Sequence, residues 1–167
     1  ALRQTGLALQ SQLTERLANL KRLMAVERVL QVTEALQPAL DELCASAAKA
    51  VGVKQAAIGL IDDRQDLFAF QHGFEPRLGN HPHELGPTLC HYTVVMGAPL
   101  VIHDTHVGQP WTDAVPVARD GVRAYLGVPV RFEGEVVGAL CAVDFTPRTW
   151  QDDDAVVLAA LADLVAA

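Results

Sequence analysis

The chain is expected to fold as α+β (or α/β), with a central, mostly antiparallel sheet of five or six strands, a set of packed helices and a long leading helix. Three patterns carry this expectation. From Arg123 to Phe132 the residues alternate. Ala124, Leu126, Val128, Val130 and Phe132 share one parity, and Arg123, Tyr125, Gly127, Pro129 and Arg131 share the other. That is the period of a strand with one buried face. From Val136 to Val143 both parities are apolar, as in a strand covered on both sides at the centre of a sheet. Toward both ends, apolar residues recur every three or four positions, the period of an amphipathic helix.

Taken in order, residues 1–37 hold no proline and only Gly6, with Leu9, Leu13, Leu17, Leu20 and Met24 at helical spacing. Ala25, Val29, Val32 and Leu36 continue the pattern on a shifted face. A helix of this length outreaches a compact domain, and its narrow seam suits a partner helix. Pro38 opens a second helix whose inner face is Leu40, Leu43, Ala47 and Val51, with Gly52 as its stop. Gln55–Ile61 and Leu67–Gln71 read as paired strands around a turn. Residues 72–87, rich in Gly, Pro and His, read as irregular. Thr88–Met96 reads as a short helix and Leu100–Ile102 as a short strand. Residues 108–120 form a second loop-rich cover. Glu133-Gly134 reverses the chain between the two long strands. Thr149, with Asp152 three residues on, is expected to cap a last helix carrying Val157, Leu158, Leu161, Leu164 and Val165.

The totals narrow the function. The net charge of −7 argues against nucleic acid and against an anionic membrane surface as partners. No apolar run reaches the roughly 18 residues of a membrane span, so no membrane contact is expected. Three widely spaced cysteines, Cys44, Cys90 and Cys141, indicate free thiols in a reducing, cytoplasmic setting. The chain lacks an initiating Met and begins and ends inside helical patterns, so it is expected to be a piece of a longer protein.

The stretch Arg123-Ala124-Tyr125-Leu126-Gly127-Val128-Pro129, then Gly134, Gly138-Ala139-Leu140-Cys141-Ala142-Val143-Asp144 and Pro147-Arg148, resembles the GAF domain family of small sensory modules. The first hairpin, from Leu60-Ile61-Asp62, and Pro99-Leu100-Val101 followed by Asp104 are similar to the family as well. The resemblance implies a GAF domain over residues 36–167, with helices on one sheet face and a loop-walled ligand pocket on the other. Residues 1–35 then form a signalling and dimerisation helix.

All six histidines, His72, His81, His83, His91, His103 and His106, fall in the segment that closes the pocket in that family. This motivates an alternative reading as a haem- or metal-binding redox or gas sensor. Neither His81-x-His83 nor His103-x-x-His106 is a recognised ligand motif, and no metal site or cofactor is assigned. The pocket candidates are Phe70, His72, Cys90, His91, Val94, His103, Asp104, Trp111, Asp113 and Tyr125. Cys90 stands where the related free methionine-sulfoxide reductases carry a cysteine. Those enzymes need a partner cysteine in the following loop, and residues 108–120 have none. Cys90-His91 also resembles the Cys-His pair of bilin photoreceptors, without the rest of that pattern. No Ser/His/Asp ordering, phosphate-binding glycine loop or carboxylate pair stands out.

The expected function is that of a non-catalytic regulatory domain in a cytoplasmic signal-transduction protein, of the two-component or diguanylate cyclase kind. It would bind an unidentified small molecule, dimerise through its terminal helices, and pass a change to an output domain such as a histidine kinase.

Overall fold

A computed structural model describes residues 2–62, 65–82, 86–107, 111, 114, 117 and 120–166. Among them, the elements run α1 (Leu2–Thr33), α2 (Gln37–Val51), β1 (Gln55–Ile61), β2 (Gln65–His72), β3 (Asn80–Pro82), α3 (Leu89–Met96), β4 (Leu100–Ile102), β5 (Ala124–Phe132), β6 (Glu135–Asp144) and α4 (Asp152–Ala166). A short 3-10 turn, Glu34–Leu36, joins α1 to α2. The strands form a six-stranded sheet in the order β3-β2-β1-β6-β5-β4, with antiparallel pairing throughout.

The doubly apolar pattern of β6 has the anticipated cause, for it lies between β1 and β5. Leu140 and Ala142 face the core under α1, α2 and α4, while Ala139 and Cys141 face the opposite layer. The β5–β6 reversal places Glu133 at φ 52° and Gly134 at φ 80°, the two positive values that a tight hairpin turn requires. On the helical face, Leu40, Cys44, Ala47, Ala48 and Val51 of α2 pack with Leu158 and Ala162 of α4 on Ala56, Ile58, Leu126 and Val128.

Gly52 caps α2 in the left-handed conformation, φ 77°, and its N–H reaches the Ala48 and Lys49 carbonyls. Arg148 docks on this same helix end. Its guanidinium donates to the Val51 carbonyl and, at 3.0 Å, to that of Gly52, and it stacks 4.9 Å from the Trp150 ring centroid. The Trp150 indole N–H donates to the Ile102 carbonyl at 3.0 Å, tying the segment to β4. The cap of α4 falls two residues later than the Thr149–Asp152 spacing suggested. The Asp154 carboxylate accepts the Gln151 backbone N–H at 2.8 Å, so the box closes between positions 151 and 154.

Helix α1 has two regimes. Ala25, Val26 and Val29 are buried against the sheet, and Arg28 pairs with Glu133 of the β5–β6 turn. N-terminal to this anchor, Leu9, Leu13, Leu17, Leu20 and Met24 are 54–61% exposed. No helix among the described residues is long and apolar enough to cross a membrane.

Candidate functional site

The face of the sheet opposite the helices carries a cavity of about 650 Å³. The sheet face that bears it is rich in small residues. Ala57 and Gly59 on β1, Gly127 on β5 and Ala139 on β6 share this face, and Cys141 pairs with both Ala57 and Gly127. Larger neighbours use the space these residues leave. A Cβ on Gly127 would stand 2.1 Å from the Tyr125 hydroxyl, so the fully buried Tyr125 ring lies over that glycine. A Cβ on Gly59 would stand 3.5 Å from Cys90 Sγ, so the α3 thiol hangs directly above β1.

Tyr125 organises the polar part of the floor. Its hydroxyl lies 2.8 Å from Thr93 Oγ1 and donates to Cys90 Sγ at 3.4 Å. Burial, and then the adjacent Cys90 and Cys141, push the Tyr125 hydroxyl well above its ordinary pKa. The Cys141 thiol is pushed well up by its hydrogen bond with Cys90 and by burial. Cys44, under α2 on the other side of the sheet, is pushed up to about 12 chiefly by burial.

The mouth is tied down by buried polar side chains. Thr88 caps α3 by accepting the His91 N–H at 3.1 Å, and its hydroxyl donates to the fully buried carboxylate of Asp66. Gln71 is 4% exposed and serves three backbone groups. It donates to the Phe68 and Leu78 carbonyls, each at 3.0 Å, and accepts the Leu78 N–H at 2.6 Å. The segment Gly73–Gly79, which walls the cavity, is thereby fixed to β2. Gln71→Leu is expected to leave those three groups without their side-chain partner. A loss of about 1–3 kcal/mol follows, with faster amide exchange confined to residues 74–79. Unchanged exchange there would show that the loop is held by something else.

Of the residues singled out from sequence, the structure brings Cys90 and Tyr125 into the cavity wall. Val94 and the half-buried Trp111 pack in the layer above the sheet, where Trp111 meets Tyr92 edge-on at 5.2 Å. His91 sits half-buried on α3, and His72 is exposed at the end of β2. Asp113 and His83 lie outside the described residues. His103 accepts the Trp150 N–H through Nδ1 at 3.0 Å, and Asp104 pairs with Arg123 at 3.1 Å, both away from the cavity. The His106 backbone N–H, and then Arg123 against an opposing cost of burial, hold the Asp104 carboxyl below its usual range.

Phe70 is a correction. It belongs to the helix-side core, and Phe68 reaches the cavity instead. The cause is a bulge. Ile58 pairs with Phe70 but Gly59 pairs with Phe68, so Ala69 is the extra residue and the two phenylalanines face opposite ways. The histidines are a second correction, since the structure disperses them. His81 lines the cavity, edge-on to Phe68 at 5.4 Å, while His103 and His106 are exposed. Among the described residues no group of three or more His, Cys, Asp or Glu is placed to hold a metal ion. Sequence reasoning also passed over β3, which brings His81 to Asp66, and Cys141, whose strand pattern marked it only as core.

The fold has structural counterparts among solved proteins. The type II free methionine-R-sulfoxide reductase from Thermoplasma acidophilum superposes with TM-score 0.66 at 16% identity, over 80% of this chain and 92% of that one. The GAF domain of an Acinetobacter phosphoenolpyruvate-protein phosphotransferase gives 0.64 at 19%, over 87% and 90%. The PixJ GAF domain of Thermosynechococcus elongatus, in its blue-light absorbing form, gives 0.61 at 18%, over 78% and 82%. No curated protein matches the chain in sequence.

The expectation of a non-catalytic chain is overturned by these likenesses, because free methionine-R-sulfoxide reductases are built on this same fold. That expectation rested on the missing cysteine in residues 108–120 and on the lack of a Ser/His/Asp ordering, phosphate-binding glycine loop or carboxylate pair in the sequence. It overlooked Cys141, which stands beside Cys90 on the cavity floor. The GAF domain model matches residues 35–167, the span that contains the whole sheet, α2 to α4 and the cavity. The chain therefore belongs to the GAF domain family.

Proposed function

We propose that this chain is the sensory GAF module of a larger cytoplasmic signalling protein. Its cavity takes a small molecule, and its terminal helices pair with those of a second copy and lead toward an output domain, such as a histidine kinase or a diguanylate cyclase. Relatives in fold from a phosphotransferase and a light receptor support a signalling role. The observation that carries the reading is the division of α1. One end is anchored by Ala25, Val26 and Val29 on β5 and β6, the strands whose other face bears Tyr125 and Cys141. The other end presents an apolar seam at Leu9, Leu13, Leu17, Leu20 and Met24. A seam at four- and three-residue spacing is closed by a like helix. Val156 and Leu164 of α4, 67% and 61% exposed, extend the apolar surface. A rearrangement in the cavity would then move β5 and β6 and be felt by the paired helices.

Light scattering at tens of micromolar is expected to show a dimer. Leu13→Glu, Leu17→Glu and Leu20→Glu together should yield a monomer that melts within a few degrees of wild type, because these side chains touch no part of the domain core. A wild-type monomer, or a triple variant that stays dimeric, would remove the basis of the relay. Native mass spectrometry of gently purified protein tests the ligand itself, as a mass increment that Tyr125→Ala abolishes.

A further inference from the structure

The floor of the cavity holds two thiols that no sequence spacing relates. Cys90 comes from the first turn of α3, and Cys141 from the middle of the central strand β6. They belong to one apolar cluster and line one cavity, and the Tyr125 hydroxyl that donates to Cys90 lies over Gly127, the residue paired with Cys141 across the ladder. The sheet residues beside them are small, Ala57, Gly59, Gly127 and Ala139, and both sulfur-bearing residues line the cavity although each is buried. We propose that Cys90 and Cys141 form a redox-active dithiol, closed to an intramolecular disulfide by a small hydroperoxide entering the cavity.

The roles of the two sulfurs differ. Cys90 is the second residue of α3, and its sulfur accepts the Tyr125 hydroxyl hydrogen. It is the attacking sulfur. Its thiolate takes the terminal oxygen of the hydroperoxide, the O–O bond breaks, and the alkoxide leaves as the alcohol after gaining a proton. Cys90 is then a sulfenic acid. The Cys141 sulfur attacks it, forms the S–S bond, and its proton leaves with the sulfenic hydroxyl as water. Two equivalents of a small thiol reverse the change, becoming a disulfide themselves. Cys44 takes no part. It is buried under α2 on the opposite face, its thiol held protonated, and it serves as an internal control.

The inference needs no resident ligand and no dimer, so its test stands apart from that of the sensory reading. Reduced protein is exposed to hydrogen peroxide, alkylated and mapped by peptide mass analysis without reductant. The expected product is one cross-link, lighter by two hydrogens, joining the Cys90 and Cys141 peptides and undone by dithiothreitol. Cys44 remains alkylatable, with Cys90 lost about tenfold or more faster. In Cys141→Ala, Cys90 should pass to the sulfinic acid, because the resolving thiol is gone. The proposal is overturned if wild-type Cys90 reaches the sulfinic acid without cross-linking, if Cys44 is consumed as fast as Cys90, or if all three thiols survive. Because the wild-type protein carries the decisive reading, an unfolded variant would not rescue the idea.

Discussion

Leu140→Asp is expected to abolish folding. Leu140 is fully buried on β6, pairs with Ile58 on one side and Val128 on the other, and meets the helix-side core. A carboxylate there would face only apolar groups, since Val29, Leu126, Ala142 and Leu158 surround the same core. Burying the charge, or protonating it and burying an unbonded acid, costs several kcal/mol, on top of the lost Leu packing. With about 5–15 kcal/mol holding a typical domain together, a loss of that size leaves little native protein. Circular dichroism should show no cooperative melt. A transition near that of wild type would mean that β6 is not covered on its helix side.

Gly138→Ala should be nearly as damaging, although it adds a single methyl group. A Cβ at position 138 would stand 2.0 Å from the backbone carbonyl oxygen of Gly59. A flexible side chain could swing away from such a contact, but a strand carbonyl cannot without breaking the ladder that holds it. Here the ladder is the β1–β6 pairing, in which Gly138 lies opposite Leu60. The same substitution at Gly134 meets nothing within 4 Å, though at φ 80° it carries backbone strain of its own. We expect Gly138→Ala to cost about 3 kcal/mol or more and to lower the melting temperature well below that of Gly134→Ala. Equal melting of the two variants would show that β1 can shift away from β6 at little cost.

These two positions show why some of the molecule is visible in its sequence. The alternation of β5, the doubly apolar run of β6 and the Glu133-Gly134 reversal are local signals, each spelled by adjacent residues. The same holds for Gly52 ending α2 and for the shift of the apolar face along α1 at Ala25. Tyr125 and Cys90 were reachable too, because they stand in stretches that resemble the family.

The site as a whole needed the tertiary structure. A period of two states which residues share a face only while the register holds. The bulge at Ala69 exchanges Phe68 for Phe70, and it exists because β1 and β2 pair as they do, not because of any residue pattern within β2. His81 reaches the cavity through pairing with β2, and Gln71 finds Leu78 across a loop. Cys90 and Cys141 are far apart in the chain and meet because α3 is laid over β1 and β6, where glycine and alanine leave it room. Sequence alone thus determined the helices and every strand but the short β3, and the family they belong to, because backbone period and turn chemistry are short-range. Which side chains share the cavity was decided by strand register and by the packing of α3, which are set by contacts between distant residues.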